Sequence, residues 1–66
     1  MNVYVGAEVT VQAHESACDG DVGEVVSQLD GGTWGVRIIT QGSEFYGQTV
    51  YFNGGQLAPL VLPGRH

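Results

Sequence analysis

Glycine occupies 11 of the 66 positions, and the glycines separate short runs that are rich in Val, Thr, Tyr and Phe. The apolar residues keep helical spacing for no longer than one turn, which disfavours amphipathic helices. Runs of this composition that end in glycine-containing clusters are typical of short strands joined by tight turns. The chain therefore predicts an all-β domain.

The clearest strand covers residues 8–13, where polar and apolar residues alternate strictly. Because side chains alternate between the two faces of a strand, Val9, Val11 and Ala13 share one face and the strand should be half-buried. A second strand is predicted over 22–29. Its adjacent pair Val25-Val26 breaks the alternation, which indicates either a bulge or burial on both faces.

The segment Asp30-Gly31-Gly32 follows the second strand, and its two glycines supply the positive φ angles that a tight hairpin needs. A third strand over 33–40 should therefore pair with the second. A connection over 41–47 and a fourth strand over 48–52 come next. A turn over 53–55 and a single 3-10 turn over 56–58 then lead to a closing edge strand over 59–62, which should lie beside the first strand.

Five motifs occur in a particular order: Gly6-x-x-Val9-x-Val11, Gly20-x-x-Gly23-x-Val25-Val26, Trp34-x-Val36, Val50-x-Phe52 and Leu57-x-Pro59-Leu60. Together they resemble an SH3-like barrel, of the kind shared by KOW domains, the small stromal barrel subunit of photosystem I and the variable chain of ferredoxin-thioredoxin reductase. The resemblance covers about residues 6–61. It implies one domain over 1–66, a small five-stranded SH3-like barrel with a short 3-10 turn before the last strand and a flexible tail over 62–66.

Charge and cysteine content limit the possible partners. The formal net charge is -5, there is no lysine, and Arg37 and Arg65 are the only basic residues. Since binding to a phosphate backbone depends on basic side chains, nucleic acid is a disfavoured partner. The single cysteine, Cys18, excludes an intramolecular disulfide. Neither a secretory signal nor an apolar run of membrane-spanning length is present, which predicts a cytoplasmic protein.

The stretch from Cys18 to Glu24 looks most like a chemical site, because it places three carboxylates beside two glycines. Read as a calcium loop from Asp19, it has Gly23 where the fifth position needs an oxygen ligand and Glu24 where the sixth needs glycine. The twelfth position needs a bidentate glutamate and is Asp30 here. We therefore interpret Asp19 and Gly20 as a turn, and Asp21 and Glu24 as solvated residues at a strand end. The spacing Gly20-x-x-Gly23 suits close packing at a bent strand; the alternative is a ligand-contacting loop, as in KOW domains.

A catalytic set is not evident. Cys18 with His14 and Glu15 could supply a nucleophile, a base and an acid, but the residues form no recognisable nucleophile motif. His14 and His66 do not complete a zinc ligand set. We therefore predict no catalytic residue, no metal and no cofactor.

One enzyme family offers a further alternative. Residues 49–52 are similar to the Val-Gln-Ile-Tyr segment of type II dihydrofolate reductases, which are SH3-like barrels with one active-site pore at the centre of a tetramer, and Leu57 follows at the right distance. The ligand-binding glutamine of that family falls on Val50 here, and its pore lysine has no counterpart. This resemblance implies oligomeric assembly more than the reductase activity.

Six aromatic residues exceed what so small a core readily hides, and tyrosine, tryptophan and arginine are frequent anchors of interfaces. Phe45 and Tyr46 lie in a turn-rich segment and are expected to be exposed, while Trp34 and Arg37 lie on opposite faces of one strand. These four residues are the predicted partner-binding set. The leading hypothesis is a non-enzymatic module that binds a protein, as an accessory subunit or a homo-oligomer; the alternative is a KOW-like or Tudor-like nucleic-acid module.

Overall fold

The computed structural model describes residues 3–60 and confirms the predicted fold class, a small all-β, barrel-like domain. Five antiparallel strands form one sheet: β1 Glu8–Val11, β2 Val22–Leu29, β3 Thr33–Ile38, β4 Thr49–Asn53 and β5 Leu57–Pro59. Their order across the sheet is β4-β3-β2-β1-β5, so the last strand pairs with the first as predicted. No helix within residues 3–60 has the length and apolar character needed to cross a bilayer.

The core lies on one face of this sheet and follows from the alternation of residues along the strands. Val9, Val11 and Ala13, which the sequence placed on one face, are all buried. Val36 and Ile38 of β3 are buried in the same hydrophobic cluster. The other buried apolar side chains are Val3, Ala7, Cys18, Val25, Phe52 and Leu57, with Trp34, Phe45 and Val50 packed against them in part.

A β-bulge bends β2. The register between β2 and β3 shifts between Val25 and Ser27, which leaves Val26 as the additional residue. Val25 is buried, whereas Val26 is 40% exposed. Of the two interpretations of the Val25-Val26 pair, the bulge is confirmed and burial on both faces is wrong.

Three turns share one pattern of backbone hydrogen bonds to a residue of a strand. In the turn Cys18–Asp21 the Asp21 N–H donates to the Cys18 carbonyl, and Gly20, at φ 88°, donates its N–H to the carbonyl of Val11 on β1. The Val11 N–H donates back to the Asp21 carbonyl. The same pattern occurs around Gly6 opposite Val25 and around Gly47 opposite Ile38. Since each opposing residue is buried, all three turns are fixed to core positions of the sheet.

The connection between β3 and β4 is ordered by side-chain hydrogen bonds to the beginning of β2. The hydroxyl oxygen of Thr40 accepts the Val22 N–H at 2.6 Å. The Ser43 hydroxyl donates to Asp21 Oδ2 at 2.7 Å, and the same hydroxyl oxygen accepts the Phe45 N–H at 3.1 Å. These contacts hold a long glycine-containing connection against the body of the domain.

The structure corrects the boundaries near the end of the chain. The 3-10 turn comprises Gly54–Gln56 instead of 56–58, and β5 comprises Leu57–Pro59 instead of 59–62. The reason is a contact that alternation does not reveal: Gln56 Oε1 accepts the Asn53 N–H at 3.0 Å, which closes the turn directly after β4. Val61, Leu62 and the predicted tail lie outside the described residues.

Candidate interaction surface

The outer face of the sheet, opposite the core, carries side chains from β2, β3 and β4. The register pairs Gly35 with Tyr51 and Arg37 with Thr49 across β3 and β4. On the β2 side it pairs Gly35 with Ser27 and Arg37 with Glu24. We call this set, Glu24, Ser27, Gly35, Arg37, Thr49 and Tyr51, the outer-face surface.

Tyr51 lies over Gly35 at the centre of the outer-face surface. A Cβ atom built on Gly35 would overlap Ser27 Oγ and lie 3.0 Å from Tyr51 Cε1. The same atom would lie 3.4 Å from Thr49 Cγ2. The missing side chain of Gly35 therefore leaves the space that the Tyr51 ring uses. The ring thus packs against Gly35, while Tyr51 remains 54% exposed.

Arg37 lies one row away from Tyr51 on the same face, within reach of a long side chain on a diagonal of the sheet. Its guanidinium Nη2 is 3.7 Å from Glu24 Oε1, and the Arg37 side chain is 52% exposed. An ion pair this exposed stabilises a fold by no more than about 1 kcal/mol. Its main effect is to hold the guanidinium on the outer face, where it is available to another molecule.

The structure separates the four predicted partner-binding residues into two groups. Arg37 and Tyr46 are exposed, and Tyr46 is 57% exposed at the second position of the turn Phe45–Gln48. Trp34 and Phe45 are half-buried and pack against the core. The expectation that Phe45 is exposed together with Tyr46 is therefore wrong. The hydrogen bonds of Ser43 fold the beginning of this turn inward, so Phe45 becomes part of the core boundary.

Tyr51 was not among the predicted residues, although two patterns pointed to it. Phe52 is buried in the core, so the alternation of side chains along the strand turns its neighbour Tyr51 to the outer face. Gly35 occupies the outward position of the strand that pairs with it. The register of β3 and β4 then places Tyr51 directly opposite Gly35.

The acidic stretch 18–24 has structural contacts. Asp19 Oδ1 accepts the Ala13 N–H at 2.9 Å, which closes the turn predicted there. Asp21 is half-buried and accepts the Ser43 hydroxyl, so the interpretation of Asp21 as a solvated residue is wrong. Glu24 pairs with Arg37. The described residues contain no group of three or more side chains arranged to hold a metal ion.

Cys18, His14 and Glu15 do not form a common site. Cys18 is 2% exposed, and burial raises the pKa of its thiol; the Ser16 hydroxyl partly offsets this shift, while Asp21 and Glu44 add to it. His14 lies at the surface, where its Nδ1 is 3.8 Å from Asp19 Oδ2. Glu15 is exposed. A buried thiol with a raised pKa is a poor nucleophile because little thiolate is present.

No cavity is found among residues 3–60. Comparisons with protein-family models, curated proteins and solved structures give no match for this chain. The outer-face surface and the turn that carries Tyr46 are thus the best-defined candidates for contact with another molecule.

Proposed function

We propose that this domain is a non-enzymatic protein-interaction module that binds a protein partner through Arg37 and Tyr51, with Tyr46 at the neighbouring turn. The observation that carries the proposal is the exposed Tyr51 ring, which packs against Gly35 on the outer face beside an exposed arginine. Tyrosine and arginine are enriched among residues that dominate binding energies. A ring that packs against the sheet has fewer rotamers to lose when a partner covers it.

The charges of the domain indicate the chemistry of the partner. Glu8 lies opposite Glu24 in the register of β1 and β2, and Glu24 lies opposite Arg37. The outer face therefore presents two neighbouring carboxylates beside the tyrosine and the arginine. With a formal net charge of -5 on the whole chain, a partner surface with lysine or arginine around an apolar centre is the best complement. The same charge disfavours nucleic acid.

The proposal includes a role as an accessory subunit in the cytoplasm. The single cysteine of the chain is buried as a free thiol, a state that suits a reducing compartment. A domain of about this size buries only roughly 60% of its unfolded surface, so association with a larger partner would also add stability.

The test is affinity capture from the native lysate, with the whole chain as bait and quantitative mass spectrometry as readout. Tyr51→Ala and Arg37→Ala should each reduce recovery of the same protein at least about tenfold, the loss typical of an interface anchor. Tyr46→Ala should reduce it less. Gln12→Ala, an exposed residue outside this surface, is the matched control and should recover the partner as the wild type does.

Folding of each variant is checked by circular dichroism and thermal unfolding. Equal recovery of every captured protein by the wild type, Tyr51→Ala and Arg37→Ala would contradict the proposal. Binding of single-stranded RNA or DNA at low salt would favour the nucleic-acid alternative. Oxidation of NADPH in the presence of dihydrofolate would contradict the non-enzymatic assignment.

A further inference from the structure

The two outermost strands of the sheet, β4 and β5, differ in how they are protected from pairing with another chain. β5 has only three residues and ends in Pro59, which has no N–H to donate. β4 has five residues, Thr-Val-Tyr-Phe-Asn, with no charge and no proline. Short length, charge and proline are the usual protections of an outermost strand, and β4 has none of the three.

The register shows which backbone groups of β4 point away from β3. The Ile38 N–H donates to the Gln48 carbonyl, so the alternation of an antiparallel ladder makes Val36 and Val50 the next hydrogen-bonded pair. The backbone groups of Thr49 and Tyr51 then face outward. Asn53 lies two residues after Tyr51, so its N–H should also point away from β3. This N–H donates to the Gln56 side chain, which agrees with the assignment.

The outward edge of β4 is therefore two residues long. Asn53 N–H is already bonded at one end, and the turn around Gly47 joins β3 at the other. Within residues 3–60 no hydrogen bond reaches the outward backbone groups of Thr49 or Tyr51 from another strand, turn or side chain. These groups form two donors and two acceptors in a row, which antiparallel pairing with an identical row would satisfy.

The charge distribution favours a second copy of this chain as the occupant. All seven acidic residues and Arg37 lie within residues 1–44, which gives that segment a formal charge of -6. Residues 45–60, which form β4 and β5, contain no charged side chain. Two copies that meet through β4 thus avoid the like-charge repulsion that contact through the 1–44 segment would cause.

We propose that two copies of this chain associate by antiparallel pairing of β4 with β4 across a two-fold axis. In this register Thr49 of each copy lies opposite Tyr51 of the other, and the two Val50 residues meet at the axis. Four backbone hydrogen bonds form, two from the Thr49 N–H groups and two from the Tyr51 N–H groups. The interface is isologous, as two-fold dimers require. This dimer interface does not depend on the proposed partner surface, because it uses backbone groups at the edge of the sheet.

The decisive variant is Thr49→Pro. It removes an N–H that points away from β3, so the β3–β4 ladder is retained, whereas two of the four hydrogen bonds of the dimer are lost. The matched control is Thr49→Val, which has the same shape and keeps the N–H. Sedimentation velocity from about 10 μM to about 1 mM covers the affinity expected for a small, weak interface. We expect Thr49→Val to dimerise as the wild type does, and Thr49→Pro to raise the dimer Kd at least about tenfold.

A second measurement tests the register without proline. Antiparallel residues at a non-hydrogen-bonded pair have Cα atoms about 4.5 Å apart, which a disulfide can span. Val50→Cys should therefore form a disulfide-linked dimer on mild oxidation with oxidised glutathione, whereas Gln28→Cys, exposed on the interior strand β2, should not. A wild-type chain that stays monomeric at the highest concentration would overturn the proposal, as would equal dimerisation of Thr49→Pro and Thr49→Val. Arg37→Ala should leave the dimer unchanged, which separates this test from that of the protein partner.

Discussion

Gly23 on β2 lies so close to Arg37 on β3 that no side chain fits between the two residues. A Cβ atom on Gly23 would overlap Val36 Cγ1 and lie 2.8 Å from the carbonyl oxygen of Arg37. Gly20, three residues earlier, has open space around its Cα but a φ of 88°. The two glycines of the motif Gly20-x-x-Gly23 thus serve different purposes: one permits the turn, and the other permits close packing of two strands. This supports the structural interpretation of the motif.

Gly23→Ala is expected to destabilise the domain by about 1–3 kcal/mol or more, because the backbone carbonyl of Arg37 and the buried Val36 cannot both move aside. Urea unfolding followed by circular dichroism gives the value. Gly55→Ala is the control, since Gly55 has ordinary φ and nothing within 4 Å of a built Cβ atom. Equal stability of the two variants would contradict the packing role of Gly23.

Gly20→Ala is expected to lower the free energy of unfolding by about 1–2 kcal/mol for a different reason, namely the left-handed backbone conformation at this position. Gly20→Asn should cost less, because asparagine tolerates positive φ better than alanine does. The comparison of these two variants by urea unfolding reports the backbone effect, since a Cβ atom at position 20 has no neighbour within 4 Å. A larger loss for asparagine than for alanine would argue against this explanation.

Much of the fold could be predicted because alternation acts locally. In β1 and β3 each residue's face follows from its neighbours along the chain, and the paired glycines after Asp30 have the positive φ angles that the sequence predicted. The end of the chain was predicted less well. The 3-10 turn begins two residues early because the Gln56 side chain reaches back to the Asn53 N–H, a contact that no periodic pattern encodes.

The candidate surface was predicted only in part, for a related reason. Alternation placed Trp34 and Arg37 on opposite faces of one strand, and the structure shows that Arg37 is the exposed one. Phe45 was assigned wrongly because its burial depends on a hydrogen bond between Ser43 and Asp21, which are 22 residues apart in the chain. Tyr51 required the pairing register of two strands in addition to their faces. Contacts between distant segments therefore limit what can be deduced from a single sequence.

Ser43→Ala should loosen the connection between β3 and β4. The Ser43 hydroxyl donates to the carboxylate of Asp21 and accepts the Phe45 N–H, so its removal is expected to cost about 1–2 kcal/mol. Gln41→Ala, an exposed residue of the same connection, is the control. Hydrogen exchange at the Phe45 amide should accelerate in Ser43→Ala and not in Gln41→Ala.

A double-mutant cycle with Asp21→Ala tests the same contact from its other side. Because both substitutions remove one shared hydrogen bond, the double variant should be less destabilised than the sum of the single variants. Additive losses would show that Ser43 and Asp21 act independently.

Cys18 should make the domain less stable at alkaline pH. Burial raises the pKa of its thiol in the folded state, so the folded chain retains a proton that the unfolded chain releases. The stabilisation from the neutral thiol is thus fully present below the pKa of an unfolded cysteine, about 8.5, and is lost as pH rises through the higher folded value.

The free energies of unfolding of the wild type and of Cys18→Ala are measured in urea from about pH 7 to about pH 10, and their difference isolates the contribution of the thiol. Cys18→Ala should be less stable near neutral pH, because it leaves space in the core, and the difference between the two proteins should shrink as pH rises. Labelling of Cys18 with a thiol reagent should also be far slower than that of a free peptide thiol until the domain opens. A constant difference across this range together with rapid labelling would show that the thiol is neither buried nor shifted in solution.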